Sequence, residues 1–298
     1  VTSASLVYCA GATKAGTSWL YRYLHDHQSC HVTAVKEAHY WDTFPDKRRK
    51  SQIAAFKLRA AGLEMKAAKC EVDGDFDRAQ NLLRQRDEMN DLISVLAGDR
   101  AGDAAYWEWL SRNAGPAPVV ADVTPAYGLL GVPMLKRMAD LRPETRFIYI
   151  MRDPLDRLWS NVRMIVSRES GQKDLRTKAN DRLASVIAGD SDKGMVARSD
   201  YRDAVTKLQT AVPSAKLLTT FSERLISDEG VKSLCAFIGI DHKAANTKTK
   251  VHAGPAAAMD EGLAARAVQF LKEQYEWVAQ NLGPLPQRWQ DNLARAVS

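Results

Sequence analysis

The residues Gly11-Ala12-Thr13-Lys14-Ala15-Gly16-Thr17-Ser18 separate the apolar run Leu6-Val7-Tyr8-Cys9-Ala10 from the amphipathic stretch Trp19-Leu20-Tyr21-Arg22-Tyr23-Leu24. A glycine-containing turn between a strand and a helix points backbone N–H groups and the positive end of the helix dipole at one place, which is chemistry for an anion. In loops that bind nucleoside triphosphates the pattern is G-x-x-x-x-G-K-[ST], with the lysine after the second glycine and the hydroxyl on magnesium. Gly11 and Gly16 keep that glycine spacing, but Thr17 stands where the lysine belongs and the lysine lies inside the loop, at Lys14. The loop therefore suits a phosphate- or sulfate-like anion rather than a magnesium nucleoside triphosphate.

A second group of polar residues follows the run Arg146-Phe147-Ile148-Tyr149-Ile150-Met151, namely Arg152-Asp153-Pro154-Leu155-Asp156-Arg157-Leu158-Trp159-Ser160. Pro154 suits the first turn of a helix, Asp153 its cap, and Asp156 its positive end. Arg152 at the strand end and Ser160 about two turns into the helix offer a planar fork and a compact donor, a pair that can hold a phosphate. A helix-capping cluster of ion pairs is the alternative reading of the same residues.

These groups need elements to carry them. β-branched and aromatic runs predict strands near 5–10, 31–34, 118–121, 146–151 and 215–221. Apolar residues at three- and four-residue spacing predict helices near 17–28, 131–141, 155–168, 199–212, 229–238 and 260–281. Such alternation predicts an α/β fold with a parallel sheet covered on both faces, ligands binding beyond the carboxyl ends of the strands. Residues 46–113 depart from it, with no strand signal until Val119. We expect there a helical insertion within one domain spanning 1–298, its apolar positions Ile53, Phe56, Leu63, Leu82, Leu83, Leu92, Ile93 and Leu96 packing on the sheet edge, either as a structural cap or as a wall of the cleft.

Composition narrows the partners. With 298 residues, 45% hydrophobic and 26% charged, the chain is of ordinary globular type, and no apolar run approaches the roughly 20 residues that cross a bilayer. The net charge of +6 suits an anionic ligand, but much of it sits locally in Lys47-Arg48-Arg49-Lys50 and the lysines and arginines that follow, which read as a solvated helix face. No zinc-finger spacing or RNA-binding aromatic signature supports nucleic acid as a partner. Cys9, Cys30, Cys70 and Cys235 form no C-x-x-C pair and read as free thiols of a reducing compartment. With no N-glycosylation sequon present, the cytoplasm is expected; the chain starts at Val1, so a trimmed anchor and a Golgi-lumen location stay open.

Taken together, the two polar groups resemble the PAPS-dependent sulfotransferases. Gly11 to Leu20 resembles their 5′-phosphosulfate loop, P-K-x-G-[ST]-[ST]-W-L, with Thr13 in place of the usual proline or glutamine, and Arg152 to Ser160 resembles their 3′-phosphate motif, R-[DN]-P-x-D-R-x-x-S. Lys36-Glu37-Ala38-His39-Tyr40-Trp41 and Asp122-Val123-Thr124-Pro125-Ala126-Tyr127 are similar to the K-E-x-x-[FY]-[FW] and [KS]-[TS]-P-x-Y segments of the heparan sulfate and bacterial carbohydrate branch. The resemblance spans about residues 5–240 and is weakest across 46–113.

It implies a P-loop-like three-layer fold and transfer of a sulfuryl group from 3′-phosphoadenosine 5′-phosphosulfate, PAPS, to a hydroxyl or amine, with a carbohydrate as leading acceptor and adenosine 3′,5′-bisphosphate as product. Lys14 would meet the charge growing on the leaving phosphate, joined by the N–H groups of Ala15, Gly16, Thr17 and Ser18 and by the Thr17 and Ser18 hydroxyls. No metal is needed in that scheme. The acceptor must lose a proton, so a base is required across the cleft, with Glu37 the first choice and His39 the competitor. Asp122 stands where relatives often carry lysine, and with Thr124 it is expected on the acceptor side. Tyr201 resembles a tyrosine lining the nucleotide site, although a core tyrosine fits as well, and Lys248 and Lys250 lie where relatives close a basic loop over the nucleotide. Trp19 and Trp159 are expected in the core. A P-loop kinase or NTPase, or a non-catalytic nucleotide- or glycan-binding module, are the other classes the sequence leaves open.

Overall fold

The computed structural model describes residues 4–190, 193–246 and 256–295. Five parallel strands form the sheet: β1 (Ser5–Gly11), β2 (Cys30–Val32), β3 (Val119–Val123), β4 (Thr145–Met151) and β5 (Leu217–Phe221). Their order is β2-β3-β1-β4-β5. Residues 6–11 of β1 and all of β3 are buried, as the unbroken apolar character of central parallel strands requires. The chain moves from β1 to one edge of the sheet and later returns to place β4 on the other side of β1. That reversal leaves a crevice beyond the ends of β1 and β4, the place where open α/β sheets bind ligands.

The helices are α1 (Thr17–His25), α2 (Asp46–Val72), α3 (Phe76–Ala97), α4 (Ala104–Ser111), α5 (Val132–Ala139), α6 (Pro154–Ser170), α7 (Leu175–Ala188), α8 (Lys193–Ala197), α9 (Tyr201–Ala211), α10 (Ser222–Leu225), α11 (Asp228–Ile238), α12 (Glu261–Leu282) and α13 (Gln287–Ala294). Together with the sheet they make the three-layer α/β fold that the sequence pattern implies. All five strands fall where the β-branched runs predict them. The helices α7, α8, α10 and α13 lie outside the predicted segments, and helix 17–28 is shorter than predicted because the chain leaves the helix at Asp26 and turns into β2.

Local chemistry explains several helix starts. Asp153 caps α6 by accepting from the Asp156 N–H at 2.8 Å, with Pro154 at the first helical position. Asp200 caps α9 and Asp260 caps α12 in the same way, at 2.9 and 3.0 Å. Residues 46–113 fold as α2, α3 and α4 between β2 and β3. Of their expected apolar positions, Phe56, Leu92 and Leu96 are buried, and the others are half-buried.

The turn after β3, residues 125–129, crosses the carboxyl end of β1 closely enough that Gly128 admits no side chain. A Cβ there would lie 2.6 Å from the Ala10 carbonyl oxygen and 2.9 Å from the Tyr149 ring. Because the opposing atom is backbone, the strand itself would have to move. Gly128→Ala is expected to lower unfolding stability by about 1–3 kcal/mol, read from denaturant midpoints; an unchanged midpoint would show that the turn is not seated this tightly.

Candidate active site

The loop after β1 departs from the strand at Gly11 and enters α1 through Gly16, whose φ of 96° is left-handed and serves as the N-cap. No side chain caps this helix, so its first-turn N–H groups stay available to a ligand. Lys14 is itself left-handed, at φ 71°, a conformation that costs a non-glycine residue about 1 kcal/mol or more.

Arg152, at the end of β4, points back to this loop and donates to the Lys14 carbonyl at 3.4 Å. Its backbone is held by Tyr201, whose hydroxyl accepts from the Arg152 N–H at 3.3 Å and donates to the Arg152 carbonyl at 2.5 Å. Tyr201 is fully buried. Its burial fits the core role of the two open to it, and its hydroxyl fixes the strand end. Ser160 is nearly buried on α6.

Around Lys14 the charges are all of one sign but one. Burial and then the neighbouring guanidinium groups of Arg168, Arg152 and Arg163 push the ammonium below its ordinary value, while the Glu37 carboxylate acts the other way. The Lys14 ammonium has the Met164 sulfur as its neighbour, at 3.8 Å. Arg163, Met164 and Arg168 lie on α6 beyond Ser160. Their spacing of three, four and eight from that serine puts them on its helix face, a signal the sequence contained and the motif did not.

The segment after β2 carries the opposite wall. Glu37 and His39 are both left-handed, at φ 66° and 52°. Lys36 reaches the Glu37 carboxylate at 2.7 Å, His39 Nε2 lies 3.6 Å from its other oxygen, and His39 Nδ1 lies 2.9 Å from Asp42. Arg48 pairs with Asp42 from the start of α2. Burial opposes the charge on both Glu37 and His39, but their partners outweigh it: the neighbouring His39 imidazole and the Lys36 ammonium bring Glu37 down to about 2, and Asp42 and Glu37 raise His39 to about 9. Asp42, absent from the sequence-based candidates, is thus the residue that holds the imidazole.

Asp122 and Thr124 lie beneath the cleft rather than in its wall. Both are buried, and Asp122 accepts from the hydroxyls of Thr124 (2.6 Å), Tyr106 (2.8 Å) and Tyr127 (2.8 Å). Burial raises its carboxyl above the usual range against these three donors. Neither residue presents the free surface that the expected contact with the acceptor requires. Tyr127 also accepts from the Tyr40 N–H at 3.1 Å, which ties the Glu37–Asp42 segment to this buried carboxylate.

The insertion clamps the same segment from outside. Arg100 donates to the Thr43 carbonyl at 3.1 Å with its guanidinium over the Tyr40 and Phe44 rings, Asp103 accepts from the Tyr40 hydroxyl at 2.9 Å, and Glu88 accepts from the Ala34 N–H at 2.6 Å. Trp19 and Trp159 are buried as expected, and their indole N–H groups bond the carbonyls of Asn246 (3.2 Å) and Ala257 (3.3 Å). Lys248 and Lys250 lie outside the described residues. The four cysteines are free. Among the described residues no cluster of histidine, cysteine and carboxylate side chains could hold a metal ion, and no helix is long and apolar enough to cross a membrane.

Comparison with known proteins bears on what this cleft serves. In solved structures, the chain shares its fold with a sulfotransferase from Alicyclobacillus acidocaldarius, at 18% identity and a TM-score of 0.61, with 97% of this chain and 100% of that one covered. Weaker likeness is found to the sulfotransferase domain of the Synechococcus PCC 7002 olefin synthase (14% identity, TM-score 0.49, 96% and 98% covered) and to that of the curacin biosynthetic pathway (16%, 0.46, 99% and 98%). No curated protein sequence matches the chain. A family model described as the sulfotransferase family matches residues 7–244, a span that runs from β1 through the loop, both walls of the cleft and β5, and the chain belongs to that family of enzymes.

Proposed function

We propose that this sulfotransferase moves a sulfuryl group from PAPS to an acceptor hydroxyl, with Lys14 meeting the charge on the leaving phosphate and Glu37 taking the acceptor's proton. The observation that carries the reading is the meeting of Lys14, Arg152, Arg163 and Arg168 at an uncapped helix N-terminus, with one carboxylate, Glu37, close enough for its charge to act on Lys14. A lysine whose charge is disfavoured by burial and by the arginines clustered about it fits a polyanionic nucleotide. Bound there, PAPS would supply the activated sulfuryl group and a good leaving phosphate. Loop N–H groups at Ala15 to Ser18 and the Thr17 and Ser18 hydroxyls suit its 5′ side, and Arg152 and Ser160 its 3′-phosphate.

Of the two candidate bases, Glu37 is the one with a lone pair to offer. His39 carries its proton up to about pH 9 between two carboxylates, so around neutrality it orients Glu37 and cannot accept. Glu37 at about 2 is a weak base in this arrangement. Acceptor binding beside Lys36 would strip water from the carboxylate, which raises its basicity, and the acceptor's own proton becomes acidic only as its oxygen is sulfated. The carbohydrate acceptor rests on the likeness of residues 36–41 and 122–127 to the carbohydrate branch. A screen with labelled PAPS over sugar, lipid and phenol acceptors tests it, and transfer confined to phenols or lipids would remove it.

Two outcomes check the residue roles. Glu37→Gln is expected to lower kcat by about 10²–10⁴-fold while leaving affinity for adenosine 3′,5′-bisphosphate within a few-fold; Lys14→Ala is expected to lower kcat by about 10²–10³-fold and weaken the nucleotide as well. Turnover by Glu37→Gln equal to wild type would remove the base assignment.

The His39 contribution has a definite pH window. Its folded value, about 9, is above the ordinary 6.5, so the stability it gives is full below about pH 6.5 and is lost as pH rises through 9. The melting temperature of wild type should therefore exceed that of His39→Gln at pH 6 and the gap should close by about pH 9.5. A gap that is constant across that range would mean that the ring is not held as a cation.

A further inference from the structure

The outer face of α2 carries a second apolar seam that this chain does not cover. The inner face, Ile53, Phe56, Ala60, Leu63, Ala67 and Cys70, is buried or half-buried against α3. On the roughly opposite face, Ala54, Leu58, Ala61, Met65, Ala68 and Val72 follow one another at spacings of four and three, the a/d repeat of a coiled coil, and all six are exposed. Leu58, Met65 and Val72 are 77%, 71% and 87% exposed. Large residues occupy every second position and alanine the positions between.

That alternation is self-complementary in one orientation. When a second α2 lies antiparallel, about a two-fold axis passing beside residue 63, each large side chain meets an alanine: Leu58 meets Ala68 of the second copy, Met65 meets Ala61, and Val72 meets Ala54. Layers of one large and one small side chain allow close approach along about 27 Å of helix, at 1.5 Å per residue. In a parallel pairing large would meet large and alanine would meet alanine, giving uneven layers. The charges favour the same orientation. Lys57 and Glu71 flank the seam at matching positions, so each Lys57 faces Glu71 of the other copy, and among the described residues neither has an ion pair within its own chain. At the ends, Lys47 and Lys50 come beside the acidic tip Asp73, Asp75 and Asp77 of the other copy. Glu64, which would face its own symmetry mate, is paired to Arg86 of its own chain at 3.3 Å.

We propose that this face of α2 binds the α2 of a second copy of the chain in an antiparallel, two-fold symmetric seam, so that the enzyme is a dimer joined through its helical insertion. A two-fold contact of one patch with itself is the commonest closed arrangement of soluble oligomers. The seam leaves α2's inner face and the Glu37–Asp42 segment untouched.

Sedimentation of the full chain is expected to show a dimer, and Met65→Glu a monomer with the circular dichroism spectrum and sulfotransfer activity of wild type. Lys57→Glu should weaken the dimer at least about tenfold, a change of about 1.4 kcal/mol, and Lys57→Glu combined with Glu71→Lys should restore it, because the exchanged charges still face each other only in the antiparallel register. Under oxidation, Ala61→Cys mixed with Met65→Cys should cross-link faster than either alone, with the unsubstituted chain as control. A chain that stays monomeric at the highest soluble concentration, a dimer indifferent to Met65→Glu, preferential cross-linking of Met65→Cys to itself, or capture of anionic vesicles or another protein by a monomeric chain through Met65 would each overturn the proposal.

Discussion

The parallel pairing of β1 with β4, in which Cys9 lies beside Ile148 and Gly11 beside Tyr149, brings the loop that follows one strand against the arginine that follows the other. Without that adjacency, Lys14 and Arg152, separated by well over a hundred residues in sequence, would serve unrelated corners of the molecule. With it, the Arg152 guanidinium rests on the Lys14 carbonyl, and α6 carries Arg163 and Arg168 to the same place. The arrangement is electrostatically unfavourable for Lys14 by itself, since burial and the neighbouring guanidinium groups disfavour its charge. Stability elsewhere must hold it, and the buried strands on either side of the loop are what the fold offers for that purpose. A site of this kind is prepared for an anion before the anion arrives, which is the condition for electrostatic stabilisation without reorganisation.

The other wall depends on a buried carboxylate. Asp122 draws in three hydroxyls, and one of them, on Tyr127, passes the constraint to the Tyr40 backbone. Two left-handed, non-glycine residues stand just before that point. Such conformations persist only where their surroundings over-determine them, and here the surroundings come from both directions, the Asp122 network below and Arg100, Asp103 and Glu88 of the insertion above. The insertion is accordingly more than a cover for a sheet edge, because it fixes the segment from which Glu37 projects.

The strands, the anion loop and the capping of α6 were legible in the sequence because each is a local matter. Buried parallel strands need unbroken apolar runs, a left-handed N-cap favours glycine, and Asp-Pro begins a helix. Asp42, Arg163 and Arg168 were not singled out, since their importance arises only when distant elements meet, although the helical spacing from Ser160 to Arg168 was there to be read. The burial of Asp122 and Thr124 is hidden from the sequence for a related reason. A carboxylate next to a threonine at a strand end looks like a ligand-binding pair, and only the positions of Tyr106 and Tyr127, one of them in the insertion, reveal that three buried hydroxyls already bond to it. The helices α7 and α8 lay in polar stretches whose apolar positions are few, so periodicity gave little to detect.

Glu37, His39 and Asp42 form a chain of alternating charge in which every member constrains the next. Asp42 holds one imidazole nitrogen, the imidazolium faces Glu37 with the other, and Lys36 holds the remaining carboxylate oxygen. A carboxylate so well stabilised is a poor proton acceptor at rest, and that weakness has a use. It keeps Glu37 ionised and fixed opposite a cluster of cations, ready in geometry, while leaving its basicity to be raised by whatever displaces water from the cleft. Under the base role proposed for Glu37, proton transfer would follow acceptor binding rather than bulk pH, because an acceptor that displaces water from the carboxylate raises its basicity.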